Sequence, residues 1–182
     1  MTEAPKVLWI GCSGGRDVPS EMLGLVGESV LVYRNLANLI VHTDLNCFSV
    51  IDFAVNMLRV EHVIVCGHYG CRKVEEAVSN RSFGGLDNWY GHIRDVYRLH
   101  QNSLDALNHD ERVARLVELN VIEQVVNVCT SSVVQAAWDQ RRLPQVHGWV
   151  YDTGLGKVEE LGVTVRGHLD LTALLALRRR SA

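Results

Sequence analysis

Two apolar runs in this chain each stop at residues that bind metals. Val7-Leu8-Trp9-Ile10 runs into Gly11-Cys12-Ser13-Gly14-Gly15, and His62-Val63-Ile64-Val65-Cys66 runs into Gly67-His68-Tyr69-Gly70-Cys71. Thiolate and imidazole suit zinc, and three ligands, Cys12, His68 and Cys71, leave the fourth tetrahedral position open, as catalytic sites do. Taken singly, each of these residues reads as a packed or hydrogen-bonded group, because buried cysteine is usually inert. Their occurrence at two strand ends favours a metal. A redox pair of Cys66 and Cys71 fits less well, since four residues separate them rather than two. Cys47 and Cys129 are assigned to packing.

These residues need elements to position them. Val7–Ile10, Ser29–Tyr33 (opened by Gly27) and His62–Cys66 read as buried strands. Asp44 caps a helix expected to reach Leu58, with Phe48, Ile51, Val55 and Leu58 on one face. Helical spacing recurs from Asp87 to His100 and from Glu111 to Arg141, with a break near Thr130-Ser131-Ser132. Val146–Tyr151 and Val158–Leu161 suggest a hairpin, and His168–Arg180 a closing helix. Strands alternating with helices imply right-handed crossovers. The expected fold is α/β, a mainly parallel central sheet with an antiparallel edge strand, flanked by helices, in a single domain over residues 1–182. In such a sheet, ligands collect beyond the carboxyl ends of the strands.

Composition limits the partners. The 182 residues carry 18 Lys and Arg against 21 Asp and Glu, for a net charge of -3, which gives no electrostatic attraction to nucleic acid or to an anionic membrane, apart from the short run Arg178-Arg179-Arg180. A hydrophobic fraction of 47% describes a globular chain, yet no window is long and apolar enough to span a bilayer. The N-terminus lacks a secretory pattern, and five cysteines, an odd number, fit a reducing compartment, so a cytoplasmic location is expected. His42, His92, His100, His109, His147 and His168 read as structural or surface groups, and Trp89, Trp138 and Trp149 as core.

Together, Trp9-Ile10-Gly11-Cys12-Ser13, Tyr33-Arg34-Asn35, His42-Thr43-Asp44-Leu45-Asn46-Cys47 and Cys66-Gly67-His68-Tyr69-Gly70-Cys71 resemble the β-class carbonic anhydrases. The resemblance continues through Asn88-Trp89, His92-Ile93-Arg94-Asp95, Asn120-Val121 and His147-Gly148-Trp149. It implies Zn2+ on Cys12, His68 and Cys71, with ionised zinc water attacking carbon dioxide to give bicarbonate, and assembly into a homodimer or homotetramer. A subgroup binds bicarbonate away from the metal, and its Trp, Arg and Tyr match Trp9, Arg34 and Tyr151, read here as a remnant or an uncoupled anion pocket.

The sequence departs from the family's first motif, Cys-Ser-Asp-Ser-Arg-Val-Pro, which here reads Cys12-Ser13-Gly14-Gly15-Arg16-Asp17-Val18-Pro19. Glycine has replaced the aspartate that pairs with the motif arginine and orients the attacking oxygen, so weak hydration is expected. Arg16, the matching catalytic residue, is left to bind an anion or meet solvent. Asp17, an extra residue, reads as a solvated turn or helix cap, the alternative being that it loops back to replace the missing carboxylate. The register is restored near Val26-Gly27. Arg72 and Lys73 stand where Gly-Gly is frequent, and either add positive charge beside the metal or begin a solvated helix. The chain starts about a dozen residues before the first ligand, without the N-terminal helices that wrap a partner in many members, so pairing through the sheet edge or the Asp44–Leu58 region is considered. Hydrolysis of carbonyl sulfide or carbon disulfide, and a non-catalytic zinc- or bicarbonate-binding regulatory role, are the competing functions.

Overall fold

The computed structural model describes residues 4–25, 30–79, 81–141 and 143–181. The Val26-Gly27 irregularity and the proposed strand start at Ser29 lie outside them, as do the side chains of Arg179 and Arg180. Five strands, β1 (Val7–Cys12), β2 (Val30–Asn35), β3 (His62–His68), β4 (Gln145–Asp152) and β5 (Lys157–Val165), form one sheet in the order β2-β1-β3-β4-β5. The first four run parallel and β5 is antiparallel to β4, the expected architecture.

The two faces are covered unequally. Leu8, Ile10 and Cys12 of β1 and Val63 and Val65 of β3 point into a large core. Val7 and Trp9, with Ile64 and Cys66, form a smaller cluster on the opposite face, completed by Met22, Leu23, Val30, Trp149, Tyr151 and Val158. Because both faces are occupied, β1 is buried along its whole length and reads as a continuous apolar run. β2, an edge strand, is only partly buried.

Helices α1 (Pro19–Met22), α2 (Leu45–Asp52), α3 (Arg72–Ala77), α4 (Leu86–Leu99), α5 (Gln101–Leu104), α6 (His109–Cys129), α7 (Ser132–Arg141) and α8 (His168–Ser181) connect and cover the strands. The Asp44 carboxylate accepts from the Asn46 and Cys47 N–H groups and so starts α2 as expected. The regular helix ends at Asp52, however, and Phe53–Met57 continue as a widened π turn. A capping box between Asn108 and Glu111 begins α6. The expected break falls at Thr130-Ser131, where the Ser131 hydroxyl donates to Val128 O and accepts from Val134 N–H. Arg72 and Lys73 do begin a helix and pair with Glu76, at 3.0 and 3.6 Å. Arg178 of α8 and His100 both reach the buried Glu123 carboxylate, tying α8 to α6. No helix of the described residues is long and apolar enough to cross a membrane.

Trp138 and, in part, Trp89 and Trp149 are packed as expected. His147 is one of the structural histidines rather than a surface one. It lies on β4 with Nε2 3.0 Å from His62 Nδ1 and Nδ1 3.2 Å from the Thr164 hydroxyl. Burial, then repulsion from His62 and Arg166, pushes its pKa down from 6.5 to about 4. Between those two pH values the unfolded chain binds a proton that the folded chain refuses, so stability falls as acid is added through that window and levels off below it. The expected loss is about 1–3 kcal/mol. Urea melts from pH 7 to pH 4 check it, and a His147→Gln variant is expected to show a shallower slope; an unchanged slope would contradict the assignment.

Candidate metal centre

The chain leaves β1 for β2 on one side and returns to β3 on the other, so the strand order reverses at β1 and a crevice opens beyond the carboxyl ends of β1 and β3. Gly11 lies beside Cys66 in the ladder. Cys12 and His68, the last residues of their strands, are thereby brought to the same end of the sheet. A Cβ on Gly67 would lie 2.8 Å from Val121 Cγ2 of α6. Only glycine there lets β3 press against α6 just before His68. Cys71 follows as the N-cap of α3.

The two Sγ atoms and a ring nitrogen of His68 lie within 4.8 Å of one another, all buried. Cys12 Sγ and Cys71 Sγ are 3.8 Å apart, the spacing of two sulfurs held tetrahedrally about 2.3 Å from one ion. His68 Nδ1 bonds to the Tyr69 carbonyl at 3.1 Å, which fixes that proton and leaves the Nε2 lone pair free. His68 Nε2 is buried and has no hydrogen-bond partner. An orphaned imidazole nitrogen beside two sulfurs fits a zinc ion.

The electrostatics agree. A hydrogen bond from the Cys71 thiol lowers the Cys12 pKa to about 4 against the opposing effect of burial, helped by His68 and by the Gly14 and Ala37 N–H groups, each 3.3 Å from Sγ. Cys71, the donor in that bond, is pushed up, and burial adds to the rise. For His68, burial is the largest influence and favours the neutral ring, but the neighbouring Cys12 sulfur, the Tyr69 carbonyl and Asp17 together outweigh it and raise the pKa. Protons and a divalent cation therefore compete for these atoms. Cys47, Cys66 and Cys129 are buried with their thiols pushed up by burial, in keeping with packing.

The turn after β2 completes the site; the sequence analysis named Asn35, Trp89 and Asn120 as motif residues without this role, and did not single out Gln124 or Asn127. Ala37 and Asn38 both adopt left-handed conformations, with φ of 64° and 48°, which cost energy for residues with a Cβ. Buried amides from α6 hold this shape. Asn120 Nδ2 donates to Ala37 O, Gln124 Oε1 accepts from Ile40 N–H, and Asn127 Nδ2 donates to Ile40 O. Asn35 grips both backbone groups of Leu39, and Trp89 Nε1 donates to Leu36 O. The signal was available: amides at 120, 124 and 127 lie on one face of α6, in its valine-rich second half.

Gly14 sits in the exposed turn after β1. A Cβ there would meet Cys12 Sγ and His68 Nε2 at 3.7 Å, ordinary contact, so a side chain at this position would lie directly over the candidate ligands. Arg16 is exposed and, with Gly14, His68, Tyr69, Gly70, Tyr151 and Thr153, lines a cleft of about 360 Å³. The solvated turn expected at Asp17 is not found. Asp17 is only 6% exposed. Its carboxylate accepts from Trp9 Nε1 at 3.0 Å and from both terminal nitrogens of Arg34, at 3.1 and 2.8 Å. It caps no helix, since Val18 is the N-cap residue of α1. The sequence misled because a charged residue before Val-Pro looks solvent-facing, whereas here a half-buried arginine partner draws it inward. The Trp9 and Arg34 side chains thus do meet, around Asp17, while Tyr151 packs in the Trp9 cluster. Among the described residues, no hydrogen bond joins its hydroxyl to Asp17.

The family model described as carbonic anhydrase matches residues 7–158. A carbonic anhydrase of Emericella nidulans is 42% identical over 99% of this chain and 80% of its own length. The β-carbonic anhydrase of Coccomyxa, solved with acetazolamide, superposes with a TM-score of 0.89 at 37% identity, covering 94% of this chain and 78% of that one. A tetrameric β-carbonic anhydrase from Sordaria macrospora gives 0.84 at 37% identity, over 90% and 84% of the two chains. The reversed strand order, the Cys-His-Cys cluster at its crevice and these likenesses have one explanation: the chain belongs to the β-class carbonic anhydrases, which are zinc enzymes.

Proposed function

We propose that Cys12, His68 and Cys71 hold the zinc, and that the chain hydrates carbon dioxide reversibly to bicarbonate at a rate limited by Gly14. The carrying observation is the buried, unpartnered His68 Nε2 beside two sulfurs at tetrahedral spacing. When bound, zinc supplies a Lewis acid that makes water far more acidic; two thiolates moderate that effect, so activity rises with pH. The Tyr69 carbonyl keeps the His68 ring oriented. The Gly14 and Ala37 N–H groups draw charge from the Cys12 sulfur. Gly14 offers no carboxylate to orient the attacking oxygen or take its proton, which passes to buffer instead. Arg16 on the cleft wall presents a positive charge to the anionic product.

Metal analysis is expected to find about one zinc per chain in the native protein and near none in His68→Ala or Cys71→Ala. Full zinc content in both variants refutes the ligand set. Because a side chain at position 14 meets no backbone, Gly14→Asp is expected to fold and to raise the stopped-flow hydration rate by about 10². A zinc-loaded Gly14→Asp protein no faster than the native one overturns the assigned cause of weak turnover.

We also propose a homodimer as the smallest assembly. The open edge of β2 and the exposure of Leu45 (82%), Met57 (72%) and Phe53 (48%) support this, as they place unpaired backbone and apolar side chains on the surface. Sedimentation equilibrium is expected to give at least twice the chain mass, shifting toward monomer in Phe53→Glu/Met57→Glu. A monomeric native protein disproves it.

A further inference from the structure

His68 presents Nε2 to the two sulfurs only while its ring stays turned the right way, and the bond from Nδ1 to the Tyr69 carbonyl, at 3.1 Å, sets that turn. The adjoining backbone leaves the carbonyl easy to move. Gly70 follows in a left-handed conformation, with φ of 67° and nothing within 4 Å of where a Cβ would be. Glycine accepts either sign of φ, so the Tyr69–Gly70 peptide can rotate unless residue 69 is itself held.

Residue 69 is held from two directions. Its N–H donates to the Tyr151 carbonyl of β4 at 3.0 Å. Its side chain reaches between α6 and β5, where the hydroxyl lies 2.9 Å from Glu118 Oε1 and 3.2 Å from Glu159 Oε2. A phenol has one proton to give. Glu118 is the better acceptor, because it is nearer and because Arg115 offsets its charge, while the Glu159 contact is exposed to solvent. Glu118 also stands between Val117 and Val121, the two side chains that a Cβ on Gly67 would meet at 3.2 and 2.8 Å. Helix α6 thus grips the end of β3 on both sides of His68, by packing at position 67 and by a hydrogen bond at position 69.

We infer that Tyr69 is a positioning residue for the metal centre: its hydroxyl, bonded to Glu118, anchors the peptide whose carbonyl orients the His68 ring. The inference rests on the ligand set proposed above and adds a part of the chain that touches neither ligand atom nor substrate. With the Ala37 turn, which α6 also braces, one helix then supports two of the three ligands.

The test is the rate of zinc release from the metal-loaded protein into an excess of a colour-forming chelator. Removing the partner of a metal-bound imidazole typically weakens metal binding about 10- to 100-fold. Tyr69 acts one bond further out, so Tyr69→Phe is expected to release zinc about 10 times faster than the native protein. Glu118→Ala is expected to match it, and Glu118→Gln, which keeps an acceptor, to stay close to the native rate. Tyr69→Phe/Glu118→Ala is expected to be no faster than either single variant, because both remove the same bond. Tyr97→Phe, which deletes another hydroxyl–carboxylate bond, to Asp105, serves as control and is expected to release zinc at the native rate. If Tyr69→Phe does not fold, the Glu118 pair decides. Native release rates in Tyr69→Phe and Glu118→Ala, equal acceleration in Glu118→Gln and Glu118→Ala, or a double variant whose acceleration is the product of the singles overturns the inference. His68→Ala separates the two readings: full zinc there removes the ligand set, whereas zinc loss there with native release in Tyr69→Phe removes the role of Tyr69 alone.

Discussion

An imidazole nitrogen that is buried without a partner costs the fold free energy unless something binds it, and His68 Nε2 is such an atom, with two cysteine sulfurs for neighbours. Much of the surrounding structure maintains this arrangement. The reversal of strand order at β1 brings the ends of β1 and β3 side by side, Gly67 allows α6 to come close, and the Tyr69 carbonyl directs the free lone pair inward. Removing any of these would leave the ligand residues in the sequence but not the site.

The parts of the fold legible in the sequence were those written in local periodicity. Val7–Ile10 and His62–Cys66 showed as strands because both faces are covered, and Asp44 and the 130–132 break showed because capping and serine chemistry act within a few residues. The proposed metal ligands were legible because cysteine and histidine occur together at two strand ends, within motifs that resemble a known family. Short elements such as α3 and the π turn at Phe53–Met57 were less legible, since packing rather than propensity decides them.

The burial of Asp17 and the bracing role of the α6 amides escaped for a different reason. Each acts on a partner far along the chain: Asp17 on Trp9 and Arg34, Asn120 on Ala37, Gln124 and Asn127 on Ile40. Nothing local marks an aspartate as buried when its counter-charge is 17 residues away. The first motif therefore reads differently with the structure in hand. The loss of a side chain at position 14 and the gain of a buried carboxylate at position 17 belong to one rearranged loop, in which Gly15 gives the second change its room.

The left-handed pair at Ala37-Asn38 shows how the domain as a whole bears on its chemistry. The segment that donates an N–H to the Cys12 sulfur draws its conformation from a helix more than 80 residues later. Its local support is Asn35, which brackets the turn through both backbone groups of Leu39. Loosening of α6 at any point along Asn120–Asn127 would let the turn relax to an ordinary backbone and withdraw its donor from sulfur, so metal retention shares the cooperativity of global unfolding and is not the private property of a loop.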